Sequence, residues 1–135
     1  MVTITAKFEP RGDISRFARV VMMLRVSQAV QESCELVQSL EQDRCPIDTG
    51  ALLASITLDP QTMGDDSITG SVAPHMPYAS YVEYGTGMRG DPSAPYGHVM
   101  SWPGMAAQPY VRPAVDEAKG QIKDIFLRNL EGPWD

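Results

Sequence analysis

From Ile14 to Gln42 the chain carries neither proline nor glycine, and its apolar positions recur at helical spacing. A long helix must therefore occupy the first third of the molecule, with Asp13 placed as its N-cap. The apolar stripe changes side along this run. Ile14, Phe17, Val20, Val21 and Leu24 cluster on one face, whereas Met22, Val26, Ala29, Val30, Val37 and Leu40 cluster on nearly the opposite one. Two arrangements account for the switch: a kink near residue 25, or a helix that buries one end in its own domain and offers the other to a neighbouring subunit. The second is preferred.

The flanking segments fill in the remaining elements. Residues 2–8 alternate apolar and polar, the pattern of a half-buried strand ended by Pro10 and Gly12. Pro46 closes the helical run, and Asp48-Thr49-Gly50 forms a turn whose side chains cap nearby amides, with Gly50 expected at positive φ. Ala54–Leu58 reads as a strand. A turn holding Pro60, Gly64, Asp65 and Asp66 leads to a second strand, Ser67–Val72, which pairs antiparallel with it. Pro113 suits the start of a last helix, in which Ala114, Ala118, Ile122, Ile125 and Phe126 form one apolar stripe. Gly132-Pro133 stops that helix. The fold expected is α+β: a long N-terminal helix, a small antiparallel sheet and a C-terminal amphipathic helix, in a single domain spanning residues 1–135.

The stretch Pro77 to Gly87 places Tyr78, Tyr81, Glu83 and Tyr84 before Gly85, Thr86 and Gly87. It reads as one or two helical turns, a strand being the alternative. A carboxylate among tyrosines is costly to bury unless paired, and Arg112 is the expected partner. The loop at about residues 87–108 follows. It is rich in proline and glycine yet carries Arg89, Tyr96, Met100, Trp102 and Met105, a set suited to a contact loop.

Net charge is −6 with a pI near 4.8. Lys and Arg are scattered rather than clustered, which argues against binding nucleic acid through its backbone or bases. No stretch is apolar enough to span a membrane, and the first ten residues lack the apolar core of a signal peptide, so a cytosolic origin is expected. Cys34 and Cys45 then stay as free thiols. Catalytic patterns are weak. Asp48-Thr49-Gly50-Ala51 looks like the active-site tetrapeptide of aspartic proteases, in which two such aspartates share a proton across a dimer. Here a proline and a long helix precede it where an apolar strand is needed. His75, Glu83 and His98 have ligand chemistry but no metal-ligand spacing. No nucleophile elbow or phosphate loop occurs. No catalysis, cofactor or metal is expected.

Three elements in order carry a resemblance. Pro46, Asp48, Thr49, Gly50, Leu52, Ser55 and Ile56 form the first, and Tyr78, Ala79, Tyr81, Val82, Glu83, Tyr84, Gly85 and Thr86 the second. Tyr110, Arg112, Pro113 and Ala114 form the third. With them the chain resembles the lambdoid-phage gp-ten-like tail-component family over roughly residues 14 to 130. Two departures stand out: Leu53 where the family often has a basic residue, and the length of the loop after Gly87. The resemblance implies a non-enzymatic structural protein of the virion, assembled in the bacterial host cytoplasm. Its role would be a neck or tail-completion component, forming a ring between the head connector and the tail. Its partners would be itself and the phage head-completion, connector and tail proteins. DNA would pass through without sequence-specific binding, past a wall that Asp59, Asp65, Asp66, Asp116 and Glu117 could line. The alternative function is a dimeric aspartic protease using Asp48-Thr49-Gly50.

Overall fold

The computed structural model describes residues 1–9, 12–48, 50–98 and 100–131. Among the positions singled out above, Pro10, Thr49, Gly132 and Pro133 lie outside the described residues. The elements are β1 (Val2–Lys7), α1 (Arg16–Arg44), α2 (Ala51–Ser55), β2 (Thr57–Met63), β3 (Ser67–Ala73), α3 (Ala79–Tyr84) and α4 (Val111–Leu130). The class is α+β as expected, with the long helix, the small antiparallel sheet and the C-terminal helix all present.

α1 runs unbroken through residue 25 and is about 43 Å long at the usual rise per residue. Its cap is Ser15, not Asp13: the Ala18 amide donates to Ser15 Oγ at 3.1 Å, and Asp13 stands two residues too early to reach the first turn. The buried face is Val26, Ala29, Val30, Ser33, Cys34, Val37 and Glu41. α4 lies antiparallel against that face, tied by Arg44–Glu117 at one end and by Arg128–Glu32 further along. Arg25 Nη1 donates to the carbonyl of Glu131 at 2.8 Å, so the first turns of α1 project past the described end of α4. There Phe17 is 64% and Leu24 65% exposed, with Val20 between them also exposed. The stripe switches side because the second half of α1 has a domain to pack on and the first turns do not.

The sheet has the order β1-β3-β2, antiparallel throughout. β1 pairs with β3 from Val2↔Val72 to Lys7↔Ser67, and β2 and β3 form a hairpin whose register shifts between Asp59 and Thr62. The strand expected at Ala54–Leu58 is corrected. Ala51–Ser55 is a helical turn, since Ala and Leu favour helix, and the strand starts at Thr57 and runs on to Met63. Pro60 is tolerated inside it because β2 is an edge strand and the proline falls at the register shift.

α1 packs across the inner face of β3, where Ile68, Gly70 and Val72 point inward. Gly70 sets how closely helix and sheet approach. A Cβ there would lie 2.7 Å from Val30 Cγ1 and 2.9 Å from Cys34 Sγ. The core has two parts: Phe8, Val26, Val30, Cys34 and Ile68 under the hairpin, and Val37, Cys45, Leu52, Ile56, Val72, Ala79, Tyr110 and Ala118 under α4. Both cysteines are free and buried, and burial pushes the Cys34 thiol up to about 11.

Candidate functional site

The tyrosine stretch is helical, but its buried side is Ala79 and Glu83 rather than the aromatic rings. Tyr78 and Tyr81 are exposed. The reason lies in the start of α4, 27 residues on from Glu83. A helix begins with amides that have no intrahelical acceptor. Glu83 Oε2 accepts from the Tyr110 amide at 2.7 Å and the Val111 amide at 3.0 Å, and Oε1 accepts from the Arg112 amide at 3.1 Å. Pro113, next in line, has no N–H to satisfy. One buried carboxylate from a different element thus caps α4 completely, at the positive end of its dipole.

Arg112 finishes the arrangement. Its Nε donates to Glu83 Oε1 at 2.9 Å, its Nη2 to the Glu83 carbonyl at 3.2 Å and its Nη1 to Asp91 Oδ2 at 2.9 Å. The guanidinium also lies 4.5 Å from the centre of the Tyr84 ring. Glu83 and Arg112 therefore form the pair expected from sequence. Asp91 and Tyr84 were not foreseen as its partners. Asp91 could have been noticed in Asp91-Pro92-Ser93, since its Oδ1 accepts from the Ser93 hydroxyl and amide at 2.7 and 2.8 Å, an Asx turn. Those bonds, with Arg112, hold the Asp91 carboxyl down at about 2. Burial pushes Glu83 up, but the amides of Val111, Tyr110 and Arg112 outweigh it and hold the group below the usual carboxylate range.

The network anchors the loop that follows α3. Thr86 and Met105 form a two-way backbone bridge at 2.8 and 3.0 Å, and the Met88 amide donates to the Trp102 carbonyl at 2.9 Å. The Tyr96 hydroxyl donates to the carbonyl of Gly85, and its ring packs edge-on against Tyr81 at 5.0 Å. Arg89 donates to the carbonyls of Pro103 and Gly104. Of the five loop residues singled out for contact, Arg89, Tyr96 and Met105 make internal contacts in the loop. Met100 and Trp102 point outward, 64% and 52% exposed, and Met88, unnoticed in the sequence, joins them.

The first motif lies at the far end of α1 from the projecting turns. Gly50 sits at φ 83°, the left-handed conformation expected of it, and opens α2. Pro46 is half-buried, Asp48 is exposed, and α2 rather than a strand follows. A groove of about 410 Å³ runs beside this turn and brings two motifs together, its walls including Pro46, Leu52, Tyr78, Val82 and Met105. His75 lies 3.7 Å from Asp59, apart from the other two, while His98 Nε2 meets the Asp91 carbonyl at 2.8 Å and so borders the Glu83–Arg112–Asp91 network without touching Glu83. Among the described residues no group of His, Cys, Asp or Glu could hold a metal, and no helix is long and apolar enough to cross a membrane.

Glu41 is a residue the sequence pattern concealed. It sits on the inward stripe of α1, fully buried, with no hydrogen-bond partner on either carboxylate oxygen among the described residues. Burial pushes it up to about 7; the Met1 amino group offsets part of this, and the charge of Glu83 adds to it.

Residues 16–85 match a family model, HK97-gp10-like, described as "Bacteriophage HK97-gp10, putative tail-component". The match holds the first motif and the second as far as Gly85, and stops before the loop and the third. No curated protein and no solved structure matches the chain.

Proposed function

The chain belongs to the HK97-gp10-like family of bacteriophage tail components, and we propose that it serves at the head–tail joint as a neck or tail-completion subunit. Its place is the virion, and its partners are other phage proteins. In this reading one 135-residue domain per subunit assembles, in the host cytoplasm, into a closed ring between head connector and tail. The role is mechanical: the subunit binds no cofactor or metal and catalyses nothing. The exposed Asp48 and the helix that follows it favour no protease.

The observation that carries the reading is the loop between Gly87 and Gln108. Its base is locked to α3 and α4 through Glu83, Arg112 and Asp91, while Met88, Met100 and Trp102 stay exposed on it. Apolar and aromatic side chains on a rigid base are what a docking surface needs, because little ordering entropy remains to be lost on binding. We assign this surface to the neighbouring head-completion, connector or tail protein. DNA passes the ring without sticking: the chain carries net charge −6, and Asp59, Asp65, Asp66, Asp116 and Glu117 are the residues available to keep a channel wall acidic.

The test is Met100→Ala combined with Trp102→Ala in the phage. The variant is expected to fold and to be made in normal amounts, yet to leave heads and tails unjoined under the electron microscope. Infectious particles with complete joints would remove the loop from the interface. Absence of the wild-type protein from purified joints would overturn the placement itself.

A further inference from the structure

We propose that the exposed ridge at the start of α1 seats in the groove beside the Pro46–Gly50 turn of a second copy of this chain, a head-to-tail contact repeated from subunit to subunit. The ridge is Phe17, Val20 and Leu24, three side chains on one helical face and on turns that project past the described end of α4. The groove, about 410 Å³, has walls of Pro46, Leu52, Val82 and Met105, with Ile47 and Tyr78 exposed at its rim. Apolar side chains and an apolar cleft are left open on the same molecule.

Charge identifies the occupant. From Arg16 to Arg25 the chain has three arginines and no acidic residue, against a net charge of −6 for the whole. Arg16 and Arg19 are exposed beside the ridge. Asp43, on the last turn of α1, and Asp48, at the groove, are exposed at the opposite end. None of these four side chains makes an ion pair among the described residues. Basic ridge and acidic groove are thus complementary in sign as well as in polarity. They lie roughly 30–40 Å apart along α1, too far for one copy to satisfy itself. Every copy offers one ridge and one groove, so the contact is heterologous, and it makes a ring if the rotation closes and a filament if it does not. Only the expectation of a closed ring rests on the head–tail reading above.

The experiment uses the full chain and analytical ultracentrifugation. The ridge variant is Phe17→Ser with Leu24→Ser; the groove variant is Ile47→Ser with Tyr78→Ser. All four positions are exposed, so both variants keep their fold. Wild type is expected to form species larger than a dimer, and each variant alone to remain monomeric. Their equimolar mixture should form a one-to-one pair and stop, since only one intact ridge and one intact groove are present. Arg19→Asp should weaken wild-type assembly severalfold, most at low salt, and a partner carrying Asp48→Arg should restore it. A monomeric wild type, a ridge variant that still assembles, or a mixture that stays monomeric would overturn the contact. A wild type that stops at two copies would overturn the head-to-tail arrangement. The head–tail placement is read separately: absence from purified joints with the ridge–groove contact intact would sink the placement and leave this contact standing.

Discussion

Glu83 and Arg112 are linked by more than opposite charge. Three amides and a guanidinium converge on one carboxylate, so its desolvation is compensated bond by bond. Glu83→Gln should cost about 3 kcal/mol in denaturant unfolding at neutral pH, because it leaves Arg112 and the α4 amides short of an anion. A group held below its ordinary value of 4.5 stabilises the fold above that pH and loses its contribution as pH falls through the folded value. The gap between wild type and Glu83→Gln should therefore close in acid. Glu41 has the opposite sign. Its carboxyl ionises near 4.5 when unfolded but only near 7 when folded, so stability should fall as pH rises between those values. The full loss is about 3 kcal/mol, present above neutrality. Glu41→Gln should flatten that slope and be more stable than wild type above neutrality; equal pH profiles for the two would remove the argument.

At the scale of elements, the contact between α1 and β3 depends on what Gly70 lacks. A methyl group there would overlap Val30 and Cys34, both deep in the core. Gly70→Ala is expected to cost about 1–3 kcal/mol as helix and sheet are pushed apart, and adding Val30→Ala should recover part of it. Circular dichroism melts of the single and double variants decide this; additive losses would mean the two sites do not touch. In sequence Gly70 is only a member of the strand Ser67–Val72, because a close approach between elements leaves no local mark. The segment 51–63 misled in a related way. Its β-branched and proline positions suggested an early strand and a turn, but an edge strand tolerates proline where a central strand does not, and edge or centre is decided by the sheet.

At the scale of the whole molecule, two of the places where apolar side chains are exposed are the first turns of α1 and the loop after α3. Neither supports the subunit's own core. Phe17→Ser with Leu24→Ser, and Met100→Ala with Trp102→Ala, should therefore leave monomer unfolding within about 0.5 kcal/mol of wild type, measured where the protein is dilute. A large loss of monomer stability would mean these side chains are packed after all. The acidic candidates also separate. Asp65 and Asp66 lie by the hairpin turn, where the Phe8 amide donates to the Asp66 carbonyl at 2.9 Å, near the first half of α1. Glu117 is tied to Arg44 at the other end. With screening over roughly 8 Å at physiological salt, the two groups can act on the same DNA only if α1 runs along the channel.

Sequence alone determined what local chemistry dictates. The helical run before Pro46, the left-handed glycine after Thr49, the half-buried alternation of residues 2–7 and the Glu83–Arg112 pair each follow from spacing, backbone freedom or the cost of a lone buried charge. Tertiary structure decided what depends on neighbours distant in sequence. Tyr78 and Tyr81 face outward because the inner face of their helix is taken by a carboxylate that the start of α4 requires. Arg89, Tyr96 and Met105 hold the loop while Met100 and Trp102 are left free, because the loop folds back onto α3 and gives each side chain a different side. A helical stripe specifies which residues share a face; only the packed chain specifies whether anything covers it.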